Sequence, residues 1–163
     1  MLGERILVAP VFREDGNASY YLPKGTWTHL LSGKTAEGGS WRTEKFDYFS
    51  LPLFVRENTM LPMGANNSEA DYDFKAGLQL QLYMLQEGKT AETTVCDRSG
   101  DEFLKAQAKC SGDFVKITLS GANPEILLAN IFDIEALSGA EMEKTEKGIL
   151  LKGTESEISF KIL

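Results

Sequence analysis

The chain has 163 residues, enough for one ordinary domain or two small ones but too few for a catalytic barrel of about 250 residues. A net charge of −7 argues against a surface that neutralises nucleic-acid phosphates. Hydrophobic residues make up 42% and charged residues 25%, as in globular proteins, and no apolar run approaches a membrane span of about 20 residues. We therefore expect a folded chain with neither nucleic acid nor a membrane as partner.

Alternating apolar residues predict short strands in the first half, because every second side chain of a half-buried strand enters the core. The alternating residues are Ile6, Val8 and Phe12, and then Phe49, Leu51, Leu53 and Val55. Proline within a strand is confined to edges, first positions and bulges. We therefore expect these strands to start or bend at Pro10, Pro23 and Pro52.

The second half shows the same period-2 pattern, with turn signals between the segments. The residues predicted to face the core are Leu78, Leu80, Leu82, Val115, Ile117, Leu119, Ile158, Phe160 and Ile162. Residues 125–137, after Pro124, fit both a helical stripe and a strand alternation through Ile126 and Leu128. We interpret this segment as a strand, because its neighbours are strands. Short strands separated by frequent turns are typical of an antiparallel sandwich.

A polar, acidic run at residues 64–77, GANNSEADYDFKAG, suggests a linker or crossover between two parts of the chain. We therefore predict an all-β protein with two small antiparallel β-sandwich domains in tandem. The predicted domains are residues 1–73 and residues 74–163. Each is small for a domain, so packing against a neighbour is expected to contribute to the stability of both.

The order of segments in the first half resembles the region just after the catalytic barrel in family 31 glycoside hydrolases. The matching segments are MLGERILVAPVF (1–12), YLPKGTW (21–27), LLSGKTAEGG (30–39) and SLPLFVREN (50–58). The segment WTHLL (27–31) is similar to the sequences of the bacterial α-xylosidase branch of this family. In the second half the resemblance depends mainly on the regular spacing of the predicted strands and on the segment LYMLQEGKTAE (82–92).

This resemblance implies that the chain is the C-terminal part of a longer retaining glycoside hydrolase, with a proximal and then a distal β-sandwich. The catalytic aspartates of the family lie on upstream barrel strands, and no segment here resembles their motifs. We therefore assign no catalytic, cofactor-binding or metal-binding residue, and we expect no activity from this chain alone. The implied role is to pack on and stabilise its own upstream catalytic barrel. The location, cytoplasm or periplasm of a bacterium, stays open.

Few residues of this chain are candidates for a metal site or for catalysis by cysteine or histidine. Cys96 and Cys110 lie neither in a CxxC pair nor near the single histidine, His29, and three candidate ligands fall short of the four that structural zinc usually needs. We expect two small, partly buried thiols. His29 lies in a strand-like run, where a packed or surface histidine is expected rather than a catalytic base.

Aromatic side chains are crowded into the first half, and sugar rings stack on such side chains. These residues are Tyr20, Tyr21, Trp27, Trp41, Phe46, Tyr48 and Phe49. We predict that Trp27 is a core residue, because a sandwich core takes a large ring between its sheets. For Trp41, both a core and a solvent-exposed position stay open. The alternative function is therefore a carbohydrate-binding β-sandwich module for an α-linked oligosaccharide. If the surface that packs on the upstream barrel is exposed, self-association through this surface is also expected.

Overall fold

A computed structural model describes residues 1–66, 68–69 and 71–163, so Asn67 and Ala70 of the predicted linker lie outside the described residues. Sixteen strands and no helix occur in this part of the chain. The chain divides into two compact units, Met1–Glu57 and Asn58–Leu163. The all-β class predicted from the alternating patterns is thereby confirmed.

The first unit holds a four-stranded sheet in the order β1-β6-β3-β4 and a two-stranded sheet of β2 and β5, all antiparallel. Its strands are β1 (Ile6–Val8), β2 (Asn17–Leu22), β3 (Thr26–His29), β4 (Thr35–Glu37), β5 (Ser40–Lys45) and β6 (Leu53–Arg56). One buried cluster draws on both sheets and consists of Leu7, Ala18, Tyr20, Leu22, Trp27 and Phe54. The first unit is therefore a small sandwich with one core.

Alternation misplaced the ends of two strands in this unit. Leu7 is the buried residue of β1, whereas Ile6 and Val8 are only partly covered. Phe12 and Phe49, predicted to face the core, lie in loops at 89% and 86% exposure. Strand β1 ends before Pro10 and strand β6 begins only after Pro52, so the period-2 pattern does not continue across these prolines.

The second unit is a sandwich of two five-stranded sheets, in the orders β13-β16-β11-β10-β9 and β14-β15-β12-β8-β7. Its strands are β7 (Thr59–Met63), β8 (Gln79–Tyr83), β9 (Thr90–Cys96), β10 (Glu102–Ser111), β11 (Phe114–Gly121), β12 (Glu125–Ala129), β13 (Ile134–Ser138), β14 (Ala140–Thr145), β15 (Gly148–Gly153) and β16 (Glu157–Ile162). The core residues predicted from alternation are buried here, apart from Ile162, which is partly covered.

Residues 125–137 are strand rather than helix, as expected, but they form two strands instead of one. The chain turns at Asn130, whose φ is 62°, so β12 and β13 enter different sheets. In addition, β12 pairs with β8 in parallel, which departs from a purely antiparallel sandwich. The intervening strands β9, β10 and β11 supply the long crossover that a parallel pair needs.

The compact units divide at Glu57 and Asn58, before the predicted domain boundary at residues 73 and 74. The polar run at 64–77 marked a break in composition, but β7 precedes this run and pairs with β8 through five residues. Backbone pairing therefore places β7 with the second unit. Pro62 lies inside β7, at the edge of the sheet, where a missing N–H leaves no inner ladder incomplete.

Candidate functional site

The two tryptophans of the first unit occupy opposite environments. Trp27 is 0% exposed, and its indole Nε1 donates a hydrogen bond to the carbonyl oxygen of Pro23 at 2.8 Å. Trp41 is 74% exposed. The core position predicted for Trp27 is confirmed, and the two alternatives for Trp41 resolve in favour of solvent.

His29 is a packed residue, as expected. Its Nδ1 accepts a hydrogen bond from the Ser32 backbone N–H at 3.2 Å, and its Nε2 lies 2.9 Å from the carbonyl oxygen of Leu51. This pattern fits the neutral tautomer that carries its proton on Nε2. The ring also meets Phe54 edge-on, with 5.0 Å between centroids. Both nitrogens therefore hold loops of the first unit together.

The cysteines differ in exposure. Cys96 is exposed, whereas Cys110 is buried and its Sγ lies 3.3 Å from the carbonyl oxygen of Gly112. Burial, with a smaller effect from the carboxylates of Glu87 and Asp113, raises the pKa of the Cys110 thiol. Among the described residues, no group of three or more His, Cys, Asp or Glu side chains is arranged to hold a metal ion.

Three almost fully exposed rings lie on two neighbouring loops of the first unit, and we call them the aromatic end: Phe12, Tyr48 and Phe49. They are 89%, 95% and 86% exposed, respectively. Tyr48 and Phe49 meet edge-on at 5.3 Å. Sequence alternation missed this feature, although each ring lies in a short segment bounded by a proline and an aspartate turn.

Hydrogen bonds hold the loops that carry the aromatic end. Phe46 N–H donates to the carbonyl oxygen of Gly16 at 2.9 Å, which joins the two loops. Asp47 Oδ1 accepts from Ser50 Oγ at 2.6 Å and from the Phe49 backbone N–H at 3.0 Å. These bonds lower the pKa of Asp47, the Ser50 hydroxyl contributing most. Fixed loops present the rings at little cost in conformational entropy.

A groove of about 700 Å³ lies between the same two loops. Its lining includes Pro10, Val11, Phe46, Tyr48 and Leu51, together with the charged residues Arg13, Glu14, Asp15, Lys45 and Asp47. Arg13 forms a two-point contact with Asp15, with Nη2–Oδ2 at 2.8 Å and Nε–Oδ1 at 3.2 Å. This contact keeps the pKa of Asp15 far below its ordinary value. The groove is therefore lined by both apolar and charged side chains.

A second surface of the first unit is the outward side of β2 and β5, and we call it the Trp41 face. It consists of the cross-strand pairs Tyr21–Trp41, Ser19–Thr43 and Asn17–Lys45. The rings of Tyr21 and Trp41 meet at 5.9 Å with an angle of 61°. Ser19 Oγ and Thr43 Oγ1 are 2.9 Å apart and share a hydrogen bond. Rings, hydroxyls and amide or amine groups thus follow one another in rows.

In the second unit, Asp71, Asp73, Asp97, Arg98 and Ser99 help to line a groove of about 540 Å³. Glycoside hydrolysis needs two facing carboxyl groups, one of them held protonated by a raised pKa. Here Arg98 contacts Asp71, and Asp97 Oδ1 accepts backbone N–H bonds from Ser99 at 2.9 Å and Asp101 at 3.1 Å. Asp97 therefore stabilises its own turn, and Asp71 forms an ion pair with Arg98.

The carboxylates with shifted pKa values are all shifted downward. They are Asp15, Asp47 and Glu143, and the cause in Glu143 is chiefly the hydrogen bond from Lys152 at 2.8 Å. A lowered pKa keeps these three groups ionised at neutral pH, which is the opposite of what a general acid requires. No helix in the described part of the chain is long and apolar enough to cross a membrane.

Family models match both halves of the chain. The C-terminal domain of α-xylosidase YicI matches residues 73–162, and the glycosyl hydrolase family 31 C-terminal domain matches residues 1–61. The α-xylosidase XylQ of Lactiplantibacillus pentosus is 36% identical over 104 residues, which are 62% of this chain and 14% of that protein. An α-xylosidase of Emericella nidulans is 30% identical over 88 residues, 49% of this chain and 11% of that protein.

Solved structures share the fold. A GH31 dextranase of Flavobacterium johnsoniae complexed with glucose matches at a TM-score of 0.75 and 18% identity, over 99% of this chain and 26% of that one. The GH31 α-xylosidase of Xanthomonas citri matches at 0.58 and 22%, over 79% and 16%. This chain thus spans about a quarter or less of these relatives. Because one family model covers more than half of its residues, the chain belongs to the C-terminal region of family 31 glycoside hydrolases, on the α-xylosidase branch.

Proposed function

We propose that this chain is a non-catalytic accessory region that packs on and stabilises an upstream catalytic domain of the α-xylosidase or α-glucosidase type. The first unit would be the proximal sandwich and the second unit the distal one. The observation that carries the proposal is the aromatic end, where Phe12, Tyr48 and Phe49 stand on fixed loops, each at least 86% exposed. Large apolar side chains that are exposed on fixed, neighbouring loops are typical of a site of protein contact.

The energetics favour a partner within the same polypeptide. Covering one such ring contributes about 2 to 3 kcal/mol, so three rings contribute roughly 6 to 9 kcal/mol. Association of separate molecules costs about 4 to 15 kcal/mol in lost translational and rotational freedom. The aromatic end would therefore bind a separate domain weakly. A covalent link removes most of this cost by raising the effective concentration of the partner.

The relatives support the nature of that partner. The named proteins are α-xylosidases and a dextranase, and the matched segments account for only 11% to 26% of their lengths. In the whole protein, hydrolysis of an α-linked xyloside or glucoside is then performed outside these 163 residues. The lowered pKa values of Asp15, Asp47 and Glu143 agree with this division of labour, because each cause is a local hydrogen bond rather than an arrangement for proton transfer.

A chimaera tests the proposal. The L. pentosus α-xylosidase would carry this chain in place of its own matched segment, with activity on a nitrophenyl α-xyloside as the readout of thermal inactivation. We expect the triple variant Phe12→Ser, Tyr48→Ser, Phe49→Ser to inactivate at a lower temperature than the parent chimaera. Trp41→Ser, which removes an exposed ring from a different surface, is the matched control and should leave the temperature unchanged. Equal inactivation of the triple variant and the parent would refute the proposal.

A further inference from the structure

We propose that the Trp41 face is a binding site for a neutral oligosaccharide. This inference goes beyond the proposed role of stabilising a catalytic domain, because it uses the outward side of β2 and β5 rather than the loops of the aromatic end. The face contains two exposed rings, three hydroxyls including the phenolic one of Tyr21, one amide and one ammonium group, from Tyr21, Trp41, Ser19, Thr43, Asn17 and Lys45.

The rings provide a stacking surface. Trp41 exposes 74% of its area, and Tyr21, directly opposite on β2, exposes 43%. The two rings meet at 5.9 Å with an angle of 61° between their planes, and Trp41 keeps most of its area open to solvent in this contact. The apolar side of a sugar ring, which carries C–H groups, can lie on an aromatic face held in this way.

The next row supplies hydrogen bonds beside the rings. A hydroxyl offers one donor and two acceptor positions, and the mutual bond of Ser19 and Thr43 at 2.9 Å uses only one donor and one acceptor. The remaining donor and acceptors point to solvent, since both residues are exposed. Sugar hydroxyls act as both donors and acceptors, so they match this pair. Lys45, one row further on, adds a donor only.

The face is organised before any ligand arrives. The two strands pair in register from Asn17–Lys45 to Leu22–Ser40 without a bulge. The opposite side of β2 is anchored in the core by Ala18, Tyr20 and Leu22. On β5, Arg42 donates to the carbonyl oxygen of Glu37 at 2.8 Å. A platform that need not reorganise keeps more of its contact energy as binding energy.

The chemistry of the face favours a saccharide over other occupants. An apolar protein surface would bury the hydroxyl pair and the Lys45 ammonium without partners, which costs free energy for each unsatisfied group. A cationic ligand would meet no carboxylate among the six side chains, and a polyanion would meet one cation on a chain whose net charge is −7. A neutral, hydroxyl-rich molecule with one apolar side satisfies both the ring row and the hydroxyl row.

The two tryptophans allow a direct optical test on the purified 163-residue chain. Trp27 is fully buried, so acrylamide quenching of tryptophan fluorescence reports Trp41. We expect xyloglucan-derived oligosaccharides or maltoheptaose to protect Trp41 from quenching in a saturable manner. The two sugars distinguish a xylosylated ligand from a plain α-glucan. Failure of both sugars to protect Trp41 at millimolar concentration overturns the proposal. Protection without sugar, caused by self-association through this face, overturns it too.

Titration calorimetry on variants completes the test. We expect Trp41→Ala to weaken sugar binding by about tenfold or more, and Trp41→Phe, which keeps a ring, to weaken it less. Ser19→Ala with Thr43→Val should also weaken binding. The triple variant of the aromatic end is the control and should bind sugar as the parent does. This control distinguishes sugar binding from the proposed stabilisation of a catalytic domain. Unchanged affinity in Trp41→Ala refutes the site.

Discussion

Trp27 donates its indole N–H to the Pro23 carbonyl oxygen at 2.8 Å, across the turn that joins β2 to β3. The same ring is completely buried, and the Arg56 guanidinium lies 5.8 Å from its centroid. One side chain thus fills the core of the first unit and satisfies a carbonyl group at its edge. Trp41 has no comparable role in the core.

We predict that Trp27→Ala lowers the free energy of unfolding of the first unit by about 4 kcal/mol, because it leaves a cavity and an unpaired carbonyl group. Trp41→Ala should change this free energy by no more than about 0.5 kcal/mol, since its side chain is exposed. Urea denaturation followed by far-UV circular dichroism measures both. Similar destabilisation by the two substitutions would contradict the buried position of Trp27.

Two glycines with left-handed backbones allow a matched comparison in the second unit. A Cβ at Gly148, whose φ is 136°, would come within 2.0 Å of the Leu128 carbonyl oxygen, whereas a Cβ at Gly112, at 60°, meets no atom within 4 Å. We predict that Gly112→Ala costs about 1 to 2 kcal/mol for backbone strain alone. Gly148→Ala should cost clearly more, because the β12–β15 pairing must also shift. Equal costs in thermal denaturation would argue against the close approach.

Alkaline pH should destabilise the second unit through Tyr83. Burial raises the pKa of Tyr83 to about 12, against an ordinary value of about 10, and its hydroxyl donates to Gln81 Oε1 at 2.6 Å. Because the folded pKa is the higher one, this stabilisation is complete below about pH 10 and is lost as the pH rises towards 12. Tyr83→Phe should reduce the late part of a tyrosinate absorbance titration by one group, and Tyr20, whose pKa is raised by burial and by its hydrogen bond to Glu44, should still titrate late. A titration curve unchanged by this substitution would disprove the assignment.

The two thiols should react at different rates. Cys96 is exposed, whereas Cys110 is buried and has a raised pKa, which lowers its thiolate fraction at neutral pH. Ellman's reagent should therefore show one fast and one slow phase in the native chain. Cys96→Ser should abolish the fast phase and Cys110→Ser the slow one. Two equally fast phases would mean that the strand pairing around Cys110 opens readily.

Weak self-association at high protein concentration is expected for the purified chain, because the aromatic end leaves three rings exposed. Size-exclusion chromatography with light scattering should show an apparent mass that rises with concentration. The triple variant Phe12→Ser, Tyr48→Ser, Phe49→Ser should shift the chain towards monomer. A clean monomer of the parent chain at every concentration would count against a docking role for the aromatic end.

Sequence reasoning succeeded where local patterns and burial agree. In β8, β11 and β16 each strand has one face in the sandwich core, so alternation identified Leu80, Ile117 and Phe160 correctly. It failed in the loop after β1, where an apolar Phe12 follows a proline and does not continue the strand. The domain boundary at residues 73 and 74 stays a prediction: composition marks the polar run at 64–77, whereas β7 joins the second compact unit by backbone pairing.

By itself the sequence determined the all-β class, the frequent turns and the membership in family 31, because these depend on local periodicity and on the order of short segments. Tertiary structure alone decided that Trp27 is buried and Trp41 exposed, that Asn130 divides one apolar run between two sheets, and that β12 lies parallel to β8. These properties depend on contacts between residues far apart in the chain, and such contacts produce no local periodicity of apolar residues from which they could be predicted.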